Sequence, residues 1–424
     1  MVLVAKIVRR VKEKIYSILN LEKFSNNFLK FSIVHFGNLV GTSLINTFIN
    51  TLFYRLGGGI KDVLLFNLIV FAITPFAKIS AVFFLKKRNF TQNFIVSFLA
   101  YIIVYVLFFA LLLFKSVVLT IVVAMVFAVG NGFYKIAYSL SLTQYIGNDR
   151  RSMAMNLIGI YSGFVTVIIP IFFGQVISLF KGFIGYGILI GFSGAVLLKA
   201  LFSTKELKKI AETTQYPQFK KAILITFNSK AWLLGSLGEL CRGVREGLIG
   251  FLPAIILFEI VQKESLVSVS ILLTGLLTMV ANKIYGDILE RFKVSKKLLM
   301  QISLHVLVLG TIMLFFKLNI ITIIIWTLLN AFLQVYITNP TLSIFYALVS
   351  GSEGNSSLKP ELFVVRSFFS ALGRCFGIIL LFSILSYSKH YSIILLVVTG
   401  MQYLTLYFCS RAEAAIKREG NKII

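Results

Sequence analysis

Residues 86–151 read KKRNFTQNFIVSFLAYIIVYVLFFALLLFKSVVLTIVVAMVFAVGNGFYKIAYSLSLTQYIGNDRR. Two apolar runs, about 92–114 and 117–142, are closed off by Lys86-Lys87-Arg88 at one end and Arg150-Arg151 at the other, with Lys115 alone between them. At a rise of ~1.5 Å per helical residue each run is long enough to cross ~30 Å of hydrocarbon. Basic clusters at both outer ends and a single lysine at the turn put those ends on one membrane face and the turn on the other, the positive-inside pattern.

The same alternation continues in both directions. Lys181 stands alone, Lys205 to Lys230 cluster, Lys263 stands alone, Arg291 to Lys297 cluster, Lys317 stands alone, and Arg411 to Lys422 cluster at the end. Twelve spans result: about 31–54, 63–85, 92–114, 117–142, 153–178, 182–203, 231–260, 265–286, 298–316, 318–348, 361–386 and 390–410. The expected fold is an all-α polytopic membrane protein with both termini cytoplasmic, in a cell membrane of bacterial inner-membrane type. The longest polar connection divides it into a basic interfacial N-terminal helix (1–30), a six-helix bundle (31–203), a cytoplasmic linker (204–230), a second six-helix bundle (231–410) and a basic tail (411–424). An even number of helices per half makes the halves parallel repeats about an axis along the membrane normal.

Composition agrees with this. The chain of 424 residues is 58% hydrophobic and 14% charged, against ~25% charged in soluble domains. Its net charge of +26 raises nucleic-acid binding, but the basic residues lie at span ends on one side with no exposed aromatic platform, so anionic lipid headgroups are the expected partner. Cys241, Cys375 and Cys409 fall in or at the end of apolar runs without metal-ligand spacing, so neither a disulfide framework, a metal nor a cofactor is expected. No phosphate-cradling loop of the nucleotide-triphosphatase type occurs.

After the eighth span, Gly286-Asp287-Ile288-Leu289-Glu290-Arg291 with Lys293, Lys296 and Lys297 resembles the loop signature of the major facilitator superfamily. The resemblance implies a fold of two six-helix pseudo-repeats, monomeric, with Asp287 and Arg291 in a gating loop. The equivalent first-half loop, Lys78 to Arg88, keeps the basic cluster without the glycine and acid. Gly132-Phe133-Tyr134 with Ala137-Tyr138, Asp149-Arg150-Arg151, Arg242-Gly243-Val244-Arg245-Glu246-Gly247, and Arg366 with Gly373-Arg374 are similar to a bacterial branch of that superfamily.

Ionisable residues inside spans cost several kcal/mol unless paired or hydrated, which makes each a functional candidate. Glu239, Arg242 and Glu246 stand at i,i+3 and i,i+4 spacing with Arg245 adjacent, so they either lock the seventh helix to Arg366 and Arg374 of the eleventh or handle substrate and proton. Lys78 and Lys135 add positive charge in the first half, where no intramembrane acid answers them; they either face a cavity or snorkel toward water. Asn38, Asn46 and Asn50 form a polar stripe on the first span. Asn131, Tyr134 and Tyr138 on the fourth and Gln334 on the tenth complete the candidate set. His35 and His305 read as packed histidines.

These residues point to a secondary active transporter, not an enzyme, moving a small anionic, zwitterionic or amphiphilic solute by alternating access, proton-coupled through Glu239 or Glu246 and running as efflux. A lipid or glycolipid flippase on the same fold, or a non-transporting receptor or scaffold, are the alternatives.

Overall fold

The computed structural model describes residues 24–87, 90–145, 151–180, 183–207, 216–291, 294–350, 358–387 and 391–420. The N-terminal interfacial helix lies outside them except for its last residues. Six long helices come first: α1 (Asn26–Phe53), α2 (Gly59–Lys87), α3 (Phe90–Phe114), α4 (Val117–Tyr145), α5 (Arg151–Leu179) and α6 (Ile184–Ser203). The linker carries a short helix, α7 (Phe219–Asn228). The second set is α8 (Lys230–Ile249) with α9 (Leu252–Val261), then α10 (Glu264–Arg291), α11 (Lys296–Phe316), α12 (Ile320–Ser350), α13 (Lys359–Tyr387), and α14 (Tyr391–Gly400) with α15 (Gln402–Gly420).

Serine caps start three of the helices that enter from the basic side. Ser25, Ser229 and Ser295 accept from the backbone N–H of Phe28, Trp232 and Leu298 at 3.2, 3.3 and 3.2 Å, satisfying donors that helix ends otherwise leave open. On α3 the exposed Ile103, Val106, Phe109 and Leu113 share one face, while Phe94, Phe98, Tyr101, Tyr105 and Phe108 are buried on the other. Both faces are apolar because one meets lipid and the other meets protein.

Eleven helices among the described residues are long and apolar enough to cross a membrane. The twelfth span is α8 with α9. The sequence suggests one continuous helix there, but the chain breaks at Gly250-Phe251, and Pro253 stands in the first turn of α9 instead of bending a continuous span. Proline lacks an N–H and is at home at a helix start. The last span is likewise interrupted, at Met401, and then stays helical to Gly420, so the basic tail from residue 411 extends the helix.

Two helix pairs form the main junctions between the halves. Thr166 of α5 lies against Gly275 of α10, Met279 against Gly163, and Ser268 against Gly174. Phe76 of α2 meets Phe368 of α13 edge-on at 5.2 Å, and Lys78 Nζ donates to Ser367 Oγ at 2.6 Å. Exchanging the halves turns spans two and eleven into eight and five, so the two junctions are pseudo-symmetric equivalents, as parallel repeats require.

Candidate functional site

The site is organised by a close backbone crossing of α8 and α13. Gly243 and Gly247 on α8 face Gly373 and Gly377 on α13, each pair four residues apart. A β-carbon on Gly373 would lie 2.0 Å from the Leu240 carbonyl oxygen, and one on Gly377 2.2 Å from that of Val244. Small residues at this spacing let two membrane helices approach backbone to backbone. The charged residues between and beside these glycines are thereby brought within bonding range. In the sequence the charges of this segment stand out, while the crossing itself is signalled by the two Gly-x-x-x-Gly repeats, 243–247 and 373–377.

A chain of ion pairs runs along the crossing. Arg366 donates to Glu239 Oε1 at 2.7 Å and Arg242 to Glu239 Oε2 at 2.7 Å. Arg242 also donates to Glu246 Oε1, and Arg374 to Glu246 Oε2 at 3.1 Å. Both oxygens of each glutamate are engaged, so three guanidinium groups share two carboxylates. Arg245 points elsewhere: fully buried, it donates to the amide oxygens of Asn330 and Gln334 on α12. Neutral acceptors offset less of its desolvation than a carboxylate would.

These groups border a cavity of about 700 Å³ between the halves, within the range of small-molecule sites. Its opposite wall carries Asn46, Asn50, Asn67, Lys78, Asn131, Lys135 and Tyr138. Asn67 donates to Asn50 Oδ1 at 2.8 Å, and Asn131 accepts from the Tyr101 hydroxyl at 3.1 Å. The ammonium of Lys135, exposed to the cavity, has no hydrogen-bond or ion-pair partner among the described residues. Of the charged lining residues, five are cations (Lys78, Lys135, Arg242, Arg366, Arg374) and two are anions (Glu239, Glu246), an excess of three positive charges.

Of the sequence candidates, Glu239, Arg242, Glu246, Arg366, Arg374, Lys135, Tyr138 and Gln334 line this cavity. Arg245 stands behind its wall. Asn38 and Tyr134 are buried in the first bundle, away from the lining; Tyr134 hydroxyl bonds His35 Nδ1 at 2.6 Å. His35 is packed against Phe31 and Tyr138, and His305 lies on the surface beside Tyr403. The side chains of Asp287 and Arg291 lie outside the described residues. Among the described residues no cluster of His, Cys, Asp and Glu is arranged to hold a metal ion.

In solved structures the same overall fold recurs. A variant of the nucleoside transporter NupG superposes with a TM-score of 0.66 at 12% identity, covering 91% of this chain and 100% of NupG. This chain has the major facilitator fold. A variant of the E. coli fucose:proton symporter FucP matches with a TM-score of 0.62 at 14% identity over 91% of this chain and 98% of the symporter. The human organic anion transporter MFSD10 (TETRAN) matches with a TM-score of 0.61 at 13% identity over 91% of this chain and 100% of the transporter. In sequence, the chain is 23% identical over 342 residues to the uncharacterized protein YqgE of Bacillus subtilis (strain 168), spanning 80% of this chain and 78% of that protein. No family model matches the chain. As in other proteins of the major facilitator fold, the cavity lies at the interface of the two pseudo-repeats.

Proposed function

We propose that the chain is a secondary active transporter that carries a small organic anion through the membrane by rocking one six-helix half against the other. The observation that supports this most is the charge of the central cavity. Its walls hold three more cations than anions, and Arg245 behind them adds another. Uncompensated positive charge inside a bilayer is costly, and a bound anion would offset it. A cationic substrate would add to the repulsion. The similarity to sugar, nucleoside and organic anion transporters supports transport as the class of activity.

The distribution of basic residues supports an outer face at the Lys115, Lys263 and Lys317 turns and an inner face at both termini. At that outer end Arg55 Nη1 donates to Glu264 Oε1 at 2.6 Å across the halves, and Tyr54 packs edge-on against Phe258 at 6.0 Å. We read this as an inward-facing state closed at the outer end. Proton coupling falls to Glu246 in preference to Glu239, because its side chain is 20% exposed and that of Glu239 only 1%. An anion that draws Arg374 away leaves Glu246 with Arg242 as its one cationic partner in the chain of ion pairs, so the carboxylate takes a proton more readily, linking substrate occupancy to protonation.

Purified protein in proteoliposomes should accelerate the entry of organic anions over neutral or cationic analogues of the same size. An imposed proton gradient should raise the rate in wild type and leave it unchanged in Glu246→Gln. Selective flux of cations, or no anion flux from correctly folded protein, would overturn the proposal.

A further inference from the structure

A second cavity of about 380 Å³ adjoins the first, between α1 and α5 of one half and the α8–α9 break, α10 and α12 of the other. Asn46, Asn50 and the segment Ile249-Gly250-Phe251 line both. The two chambers therefore meet at these residues, and the break in the seventh span lines their junction. Their chemistry differs sharply. Among the described residues no Asp, Glu, Lys, Arg or His lines the second chamber; its polar groups are hydroxyls and amides, among them Ser43, Thr47, Ser270, Thr274 and Asn330.

Arg245 connects the two. Its guanidinium holds the side-chain oxygen of Gln334, which lines the charged chamber, and that of Asn330, which lines the neutral one. With its oxygen engaged, Asn330 has only its amide N–H groups to offer, and they have no partner among the described residues. Gln334, by contrast, spends an N–H on Thr338 Oγ1 at 3.1 Å. An uncharged chamber lined by hydroxyls and an oriented amide donor suits a solute part that both donates and accepts hydrogen bonds. Polar groups built to bond a substrate hydroxyl reject an analogue lacking it, because they are then left unpaired.

Resting on the transport reading above, we infer that the substrate is a hydroxylated organic anion: its phosphate or carboxylate occupies the charged chamber beside Lys135 and Lys78, and its hydroxyl-bearing part occupies the neutral chamber beside Asn330, Ser270 and Thr274. Sugar acids and sugar phosphates are the two sources of this chemistry. Their anionic groups differ in charge and geometry, while the hydroxylated part is shared.

Thermal stabilisation of the detergent-purified full chain tests the inference, with gluconate and glucose 6-phosphate as hydroxylated anions, hexanoate and methyl phosphate as anions without the hydroxylated part, and glucose and sorbitol as neutral controls. Hydroxylated anions should bind at least tenfold more tightly than either comparison group, and the better of gluconate and glucose 6-phosphate identifies the anionic group. Lys135→Gln should abolish anion binding. The double variant Ser270→Ala/Thr274→Val should weaken the hydroxylated anions about tenfold and leave hexanoate and methyl phosphate unchanged. Should that variant not fold, Ser43→Ala/Thr47→Val, which removes hydroxyls from the α1 side of the same chamber without adding charge, gives the same comparison. Equal affinity for anions with and without hydroxyls, unaffected by the neutral-chamber variants, would overturn the two-chamber assignment while leaving anion transport standing. Binding of glucose and sorbitol as tight as that of the hydroxylated anions, insensitive to Lys135→Gln, or binding of no anion by folded protein, would overturn both.

Discussion

The two walls of the central cavity carry the same sign of charge but treat it in opposite ways. On α8 and α13, Arg242, Arg366 and Arg374 are tied to Glu239 and Glu246, and Arg366 also lies over the Phe345 ring at 4.2 Å. On α2 and α4, among the described residues, Lys78 reaches only a serine hydroxyl and Lys135 reaches no partner. Both walls face the same cost of holding charge inside a membrane. A cation whose hydrogen bonds are already taken by carboxylates on its own wall is part of the structure. One left open toward the cavity is available to a ligand. The difference teaches that charge count alone misplaces the ligand site: the half richer in charges is the more self-satisfied one.

The sharpest way to break this comparison is Glu239→Gln. The change is nearly isosteric and strips Arg242 and Arg366 of a shared carboxylate that is almost wholly buried. Removing one partner of a buried ion pair costs about 3–5 kcal/mol, so the variant should show a marked fall in its thermal unfolding midpoint in detergent. Gly373→Val attacks the same wall through its backbone, where a side chain would collide with the Leu240 carbonyl, and should yield little monodisperse protein. If Glu239→Gln unfolds like wild type, the ion-pair chain is not what holds α8 to α13.

Lys135→Gln is the complementary test. No partner among the described residues is lost, and one cation of a net positively charged cavity lining is removed, so stability should be unchanged or slightly raised. Anion flux in proteoliposomes should fall by tenfold or more, since a charge-assisted hydrogen bond to substrate contributes about 1.5–3 kcal/mol. Retained flux would move the ligand away from the α2–α4 wall and dissolve the contrast between the halves.

The fold was legible in the sequence because bilayer thickness sets run length and because lysine and arginine mark each turn. The break at Gly250-Phe251 was not, since the apolar run continues through it and Pro253 is compatible with either a bend or a new start. The cavity lining was legible only in part. Along α1, Asn38, Asn46 and Asn50 share a polar stripe, yet Asn46 and Asn50 reach the cavity and Asn38 is buried in the bundle. Helix α3 is apolar on nearly every side, and α1 carries polar residues on its buried as well as its cavity-facing side, so patterning carries little information about which face meets lipid, protein or water. Charged residues gave the clearest indication. Glu239, Arg242 and Glu246 could meet one another by helical spacing alone, whereas their link to Arg366 and Arg374 depends on four glycines whose role is purely steric.

The smallest expected effect concerns the outer end, where the two halves touch through a charge pair of intermediate burial. Arg55 sits in the π-helical turn Tyr54–Gly58 that ends α1, and its side chain is 34% exposed. Glu264 begins α10, is nearly buried, and also accepts from the Tyr186 hydroxyl at 3.4 Å. Glu264→Gln keeps that hydroxyl bond and removes only the charge. Because solvent screens the arginine, the loss is about 1 kcal/mol or less, a shift of up to roughly fivefold between closed and open outer ends. The position of Asn46, exposed to the cavity, provides the readout: Asn46→Cys in right-side-out vesicles, labelled with a membrane-impermeant maleimide from outside. Labelling should rise a few-fold when Glu264→Gln is added and return to its starting level when excess anionic substrate stabilises the loaded, closed form. An unchanged rate would mean that Tyr54 and Phe258 alone seal that end, leaving the Arg55–Glu264 pair as one more self-satisfied charge of the kind that lines α8 and α13.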